Sequence, residues 1–203
     1  QLNQKETYVP NNLSLGTTQG ILLYGVNAVG KTSLIKALGI SVIMAQIGFY
    51  VPCESFEYYP YDYIFTRILG NDNIFKGLST FEVEMSELRT IFKYSTPNSL
   101  VLGDELCSGT ETDSALSIFV SGMQKLYKTN SSFIFATHFH ELNHYSELKE
   151  MPNIIMKHMS ISYDEETNAL VYDRILKDGS GESIYGLEVC KSLKMPTDFL
   201  RDA

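Results

Sequence analysis

Residues 25–33 read Gly25-Val26-Asn27-Ala28-Val29-Gly30-Lys31-Thr32-Ser33, and this stretch decides the fold. Gly25, Gly30, Lys31 and Thr32 stand at the G-x-x-x-x-G-K-[ST] spacing of a phosphate-binding loop. The apolar run Gly20-Ile21-Leu22-Leu23-Tyr24 before it reads as a buried strand, and Thr32–Gln46 behind it as a helix. That strand–loop–helix context gives the spacing its physical meaning. Glycines let the backbone curl until successive N–H groups point inward at phosphate oxygens. The helix aims its positive end at the same place. From Lys31 an ammonium can reach the β- and γ-phosphates of a nucleotide, and the Thr32 hydroxyl can bind Mg²⁺.

The chain has 203 residues, 44% hydrophobic and 20% charged, which suits a single α/β domain spanning residues 1–203 with a sizeable core. It contains no apolar run of about 18 residues, so no membrane partner is expected. The N-terminal stretch lacks the basic and apolar regions of a signal peptide. It begins with Gln1 rather than Met, as a piece of a longer multidomain chain would. The net charge of −8 argues against duplex-DNA binding by this segment alone, because phosphate binding needs clustered Lys and Arg. Cys53, Cys107 and Cys190 are far apart and form no C-x-x-C. The expectation is apolar thiols in or near the core of an intracellular protein in a reducing compartment.

The second strong signal is Ser99-Leu100-Val101-Leu102-Gly103-Asp104-Glu105, an apolar strand that ends in two carboxylates. Acids at the end of a buried strand are costly unless they face a site, and that edge is where open α/β sheets bind ligands. Asp104 is placed to hold Mg²⁺, and Glu105 to polarise a water against the γ-phosphate, which points to hydrolysis. A third buried strand, Ser132–His138, ends in a histidine. His138, His140 and His144 raise the idea of a metal cluster, but a helix after the strand end separates them. The favoured role is His138 reaching the γ-phosphate or the attacking water, with the other histidines at the surface or behind the site.

Residues 79–94 read as a helix capped by Ser79 or Thr80, with Phe81, Met85, Leu88 and Phe92 as its core face. A serine at a helix N-terminus is also a good phosphate ligand. Ser108–Thr112 is a turn-rich link into a helix over Asp113–Tyr127. Ile154–Tyr163 and Ala169–Leu176, flanking a turn, carry the alternation of a β-hairpin. Two stretches leave alternatives. Tyr8 could stack on a nucleotide base or pack on the sheet edge. Residues 47–63, rich in Tyr, Phe and Pro, read as an excursion with short strands, where core packing or a domain contact is favoured over a nucleic-acid stacking platform.

Taken in order, the phosphate loop, STFEVEMSE (79–87), SLVLGDE (99–105), SGTET (108–112), ATHFHEL (136–142) and YGLEVCKSLKMP (185–196) resemble the ATPase domain of the MutS family of DNA mismatch repair proteins. The likeness runs from Glu6 to the end of the chain. It implies a P-loop NTPase of the ABC-like type, with a mostly parallel central sheet, flanking helices and an antiparallel hairpin near the C-terminus. It implies ATP and Mg²⁺ as cofactors. Gly25, Asn27, Gly30, Lys31, Thr32 and Ser33 would hold phosphate, Thr32 and Asp104 the metal, and Glu105 would be the catalytic base. His138 would be a switch histidine near the γ-phosphate. Ser79 would be a signature serine offered in trans to a partner's nucleotide, and Tyr8 an aromatic stacked on adenine. The implied partners are a second such domain, in a homodimer, and mismatched duplex DNA held by upstream domains.

The chain departs from the family's GPNMGGKST loop at Val26, Ala28, Val29 and the pair Thr32-Ser33. Its Cys107-Ser108-Gly109-Thr110 replaces a Gly-Arg-Gly-Thr link. These variants look like the divergent subgroup found in giant viruses, octocoral mitochondria and certain bacteria. Other classes are less well matched. A transporter or chromosome-maintenance ABC ATPase would carry an LSGGQ-like signature. A phosphotransferase would lack the base Glu105 and carry an arginine-rich lid, and a non-hydrolysing nucleotide-binding module would bind ATP without releasing phosphate.

Overall fold

The computed structural model describes residues 8–26, 28–68, 80–107, 109–164, 169–181, 189–191 and 195–202. Their elements follow one another as β1 (Gly20–Tyr24), α1 (Lys31–Gln46), β2 (Tyr63–Arg67), α2 (Thr80–Tyr94), β3 (Ser99–Asp104), α3 (Thr112–Thr129), β4 (Ser132–Thr137), a 3₁₀ turn at His140–His144, α4 (Ser146–Lys149), β5 (Ile154–Asp164), β6 (Ala169–Asp178) and α5 (Thr197–Asp202). The six strands form one sheet in the order β2-β3-β4-β1-β5-β6. The pairings β2–β3, β3–β4, β4–β1 and β1–β5 are parallel, and only β5–β6 is antiparallel. This is the mixed α/β architecture expected, hairpin included.

The continuous apolar runs of β1, β3 and β4 are explained by burial on both faces, as parallel sheets require. Leu22, Tyr24, Val101, Phe133 and Phe135 join α2 and α3 in one core cluster, with Leu88, Leu116, Phe119 and Met123. Ile21, Leu23, Leu100, Leu102, Ile134 and Ala136 join α1 in the other, with Ile35 and Val42. Alternation along β3 therefore puts Asp104 on the face of Leu100 and Leu102, the face that α1 covers. The absence of a side chain at Gly39 lets α1 approach closely, since a Cβ there would lie 2.8 Å from Leu102. At the end of α3, Asn130 adopts the left-handed conformation and donates to the helix's last carbonyls.

Several expectations are corrected. Residues 47–62 contain no strand; they are bends pinned by side chains. Gln46 accepts from the Tyr61 amide and donates to its carbonyl, and the Tyr58 hydroxyl donates to the Ala45 carbonyl. Only Phe56 and Tyr61 of this stretch pack against a core cluster, while Phe49, Tyr50 and Tyr59 are exposed, so core packing is not what its aromatics mostly do. The buried seam of α2 is Glu84, Leu88 and Ile91, so of the expected core face Leu88 is buried while Phe81 is only half-buried. Met85 and Phe92 are partly buried at its flank. Cys107 is buried as expected, but Cys53 is exposed. The cap at Ser79 and most of the motif at 185–196 lie outside the described residues. No helix among the described residues is long and apolar enough to cross a membrane.

One brace was not foreseen. β6 bulges around Arg174, which has φ 56°. Asn11 fills the irregularity, donating to the Arg174 carbonyl at 2.9 Å and accepting from the Leu176 amide at 2.7 Å. This covers the edge of the sheet. Leu176 pairs with Met159, one residue beyond the level of Tyr24 in β1. The segment carrying Tyr8 is thus tied to the sheet at the end where β1 leads into the glycine loop.

The tight packing over β3 has a measurable consequence. A Cβ at Gly103 would lie 2.5 Å from the buried ring of Phe135. Gly103→Ala is expected to cost about 1–3 kcal/mol of stability in urea denaturation. An unchanged midpoint would contradict this packing.

Candidate active site

The parallel topology brings three strand ends to one edge. Tyr24 at the end of β1 pairs with Thr137 at the end of β4, and Asp104 at the end of β3 pairs with Ala136. The loop after β1, the carboxylates after β3 and the histidine after β4 therefore emerge together. This edge is where an open α/β sheet binds ligands.

The loop turns by left-handed backbone. Gly25 has φ 149°, Ala28 φ 66° and Gly30 φ 113°. Gly25 is confined as well as bent, because a Cβ there would meet Val29 at 2.9 Å. Val29 is fully buried in the α1-side core, so this departure from the family loop is a packing substitution beneath the cradle. Ala28 lines the cleft. Gly30 caps α1 without any side-chain hydrogen bond, and the first turn of α1 holds no acidic residue. The helix's positive end is therefore left for an external anion. Asn27 lies outside the described residues.

A cleft of about 370 Å³ opens here, lined by Val26, Ala28, Gly30, Lys31, Thr32, Ser33, Asp104 and Glu105. Lys31 is 4% exposed and donates from Nζ to the carbonyls of Gly25 (2.5 Å) and Val26 (3.0 Å). Its Nζ is also 4.0 Å from Oε1 of Glu105. Burial lowers the Lys31 pKa from its ordinary value, and the Glu105 and Asp104 carboxylates oppose that shift. Thr32 donates from Oγ1 to Oδ2 of Asp104 at 2.5 Å. The other oxygen, Oδ1 of Asp104, is buried and has no hydrogen-bond partner. Such an orphaned oxygen beside a threonine hydroxyl fits a hard divalent cation, and Mg²⁺ commonly takes one or two carboxylates and fills its other positions with water and phosphate. No cluster of three or more His, Cys, Asp or Glu among the described residues is arranged to hold a metal.

Glu105 leaves β3 in a left-handed conformation, φ 50°, and Cys107 follows at φ 64°. Such conformations cost about 1 kcal/mol or more each and persist where the surroundings enforce them. Here the Glu105 amide donates to the Ala136 carbonyl at 3.0 Å, Leu106 is buried, and the Cys107 amide donates to Oε1 of Glu84 at 2.7 Å. Position 107 is where the family link carries glycine, which reaches this φ without strain.

His138 lies one residue past β4 and is exposed, and it is not among the residues lining the cleft. His140 is half-buried against the Tyr24 ring, with centroids 5.1 Å apart, and burial lowers its pKa. His144 is exposed, and Nδ1 of His158 is 3.1 Å from the Gly179 carbonyl. Tyr8 is 78% exposed, so its ring is not packed on the sheet edge. Ser79 lies outside the described residues. Sequence reasoning missed Glu84. The available signal was an acid at the i−4 position to Leu88 on an otherwise apolar helical seam.

Comparison with known proteins gives a consistent answer. The family profile for MutS domain V matches residues 21–203. A DNA mismatch repair MutS homologue of Acanthamoeba polyphaga mimivirus is 43% identical over 187 residues, covering 91% of this chain and 17% of that protein. The mitochondrial DNA mismatch repair MutS homologue of Sarcophyton glaucum is 43% identical over 189 residues, covering 93% of this chain and 19% of that protein. DNA mismatch repair protein MutS of Streptococcus thermophilus is 34% identical over 200 residues, covering 98% and 23%. The chain thus spans about a fifth of the length of these relatives. The viral and octocoral relatives share more residues with it than the bacterial one does, in keeping with its loop variants.

The thiols provide a direct check on the turn after β3. Burial, with Glu84 nearby, pushes the Cys107 thiol up to about 12, while Cys53 is exposed. At pH 8 a thiol reagent should label Cys53 quickly and reach Cys107 only on unfolding. Equal labelling rates in the native protein would contradict the buried turn.

Proposed function

The chain belongs to the MutS family of DNA mismatch repair proteins, and on that footing we propose that it is a Mg²⁺-dependent P-loop ATPase domain. Its ATP hydrolysis would drive conformational change in a dimeric, mismatch-binding protein. The observation that carries this reading is the buried, unpartnered Oδ1 of Asp104, beside Thr32 and Lys31 at the uncapped start of α1.

In this reading the loop amides and the first turn of α1 receive the phosphates, with Asn27 contributing from the loop and Ser33 from that first turn. Lys31 exchanges its bonds to the Gly25 and Val26 carbonyls for β- and γ-phosphate oxygens. The bound cation, held by Thr32 and Asp104, supplies charge neutralisation of the phosphates. Glu105 orients and polarises the attacking water as the general base. Its proximity to Lys31 keeps the carboxylate beside the place where the γ-phosphate would lie. His138, one residue beyond β4, would approach the γ-phosphate when the site closes. Tyr8, exposed on a segment tied to this edge, is free to stack on adenine.

The reading extends to a second copy. Ser79, just before α2, would be offered to the nucleotide of a partner domain, so ATP would favour dimer closure and hydrolysis would release it. Mismatched duplex DNA would be held by other domains, since this segment carries a net charge of −8.

The expected outcome for Glu105→Gln is retained ATP binding with steady-state phosphate release falling to background. Full turnover in that variant would remove Glu105 from the role. Specific activity should also rise with protein concentration, because Ser79 acts in trans. A rate flat across a wide dilution series would contradict the shared site.

A further inference from the structure

Glu84 is the feature of α2 that core packing does not explain. It is 4% exposed and sits on the same seam as Leu88 and Ile91, where the helix meets the sheet. A buried carboxylate is expensive unless its oxygens are used. This one is used: Oε1 accepts the amide of Cys107 at 2.7 Å, across 23 residues of sequence.

The recipient makes the contact informative. Glu105, Leu106 and Cys107 form the turn that carries the proposed general base away from β3, and two of the three are left-handed. Among the described residues, two amides of the turn are held: Glu105 donates to the Ala136 carbonyl of β4, and Cys107 to the side-chain carboxylate of Glu84 on α2. α2 is itself tied to β2 by the Arg67–Glu87 ion pair, with Nε and Oε2 at 3.0 Å. Its first residue, Thr80, directly follows Ser79.

We propose that Glu84 is a positioning residue for ATP hydrolysis: by holding the Cys107 amide it fixes the turn that aims Glu105, and it makes that aim depend on where α2 lies. The inference rests on the hydrolytic reading above. It adds a route by which a partner that engages the start of α2 alters Glu105 without touching it. Glu84 is buried and is not among the residues that line the cleft. Its effect should therefore fall on the chemical step and leave binding intact.

The test uses the full-length protein and three variants. Glu84→Leu fills the apolar seam and removes the acceptor. Glu84→Gln keeps an acceptor oxygen at the same reach. Glu84→Asp shortens the side chain by a methylene, and reads the same effect should the leucine variant fail to fold. The expected result for Glu84→Leu or Glu84→Asp is a kcat lower by roughly ten- to a hundredfold, the scale of a misplacement of about 1 Å. The affinity for a non-hydrolysable ATP analogue should stay within about twofold, and Glu84→Gln should recover most of kcat. A kcat unchanged in properly folded Glu84→Leu, or lost equally in Glu84→Gln, would overturn the positioning role. So would a matched loss of kcat and analogue affinity. A wild-type protein with no ATP turnover would overturn the hydrolytic reading itself, and Glu84's part with it, so the two failures are distinguishable.

Discussion

The hydrogen bond from Thr32 Oγ1 to Oδ2 of Asp104 joins the first turn of α1 to the last residue of β3. The candidate site depends on this junction. It brings the positive end of a helix and a buried lysine against two carboxylates, and it leaves one carboxylate oxygen without a partner. A charge set of this kind is hard to justify as packing, because buried polar atoms are normally satisfied within the fold. It is well suited to receive phosphate and a hard cation, whose charges complete the balance.

The rest of the architecture delivers that junction. Parallel pairing of β3, β4 and β1 sends their C-terminal ends to one edge, and burial of both sheet faces fixes the register. The alternation that buries Leu100 and Leu102 under α1 also turns Asp104 toward the loop. A one-residue slip of β3 would send that carboxylate to the face covered by α2 and α3. Two of the chain's departures from the family pattern fall where they can be absorbed: Val29 of the loop packs beneath the cradle, and the left-handed Cys107 after β3 is held by the buried carboxylate of Glu84.

Much of this was legible in the sequence because it rests on local signals. The apolar runs of β1, β3 and β4, the hairpin alternation and the spacing of Gly25, Gly30, Lys31 and Thr32 are each readable within a dozen residues. So were the cleft residues Lys31, Thr32, Asp104 and Glu105, since strand ends identify the binding edge. What escaped depends on tertiary partners. On α2, Leu88 was read correctly with Met85 and Phe92 at its flank, but Glu84 was not placed on the buried seam, because apolar periodicity gives an acid no place there. The bends at 47–62 were read as strands because Tyr and Phe have strand propensity, whereas the side-chain bonds of Gln46 and Tyr58 decide the path. Asn11 carries no local signal for its role, because its partners lie in the bulge of β6.

The cation site proposed at Asp104 and Thr32 would make the loop a hydrolytic one. Its most direct test is phosphate release from ATP by the wild-type protein and Asp104→Asn, each measured with Mg²⁺ and with EDTA. Release is expected only for the wild type with Mg²⁺, with background rates in the other three cases. Equal release in EDTA, or an Asp104→Asn protein as active as the wild type, would contradict it.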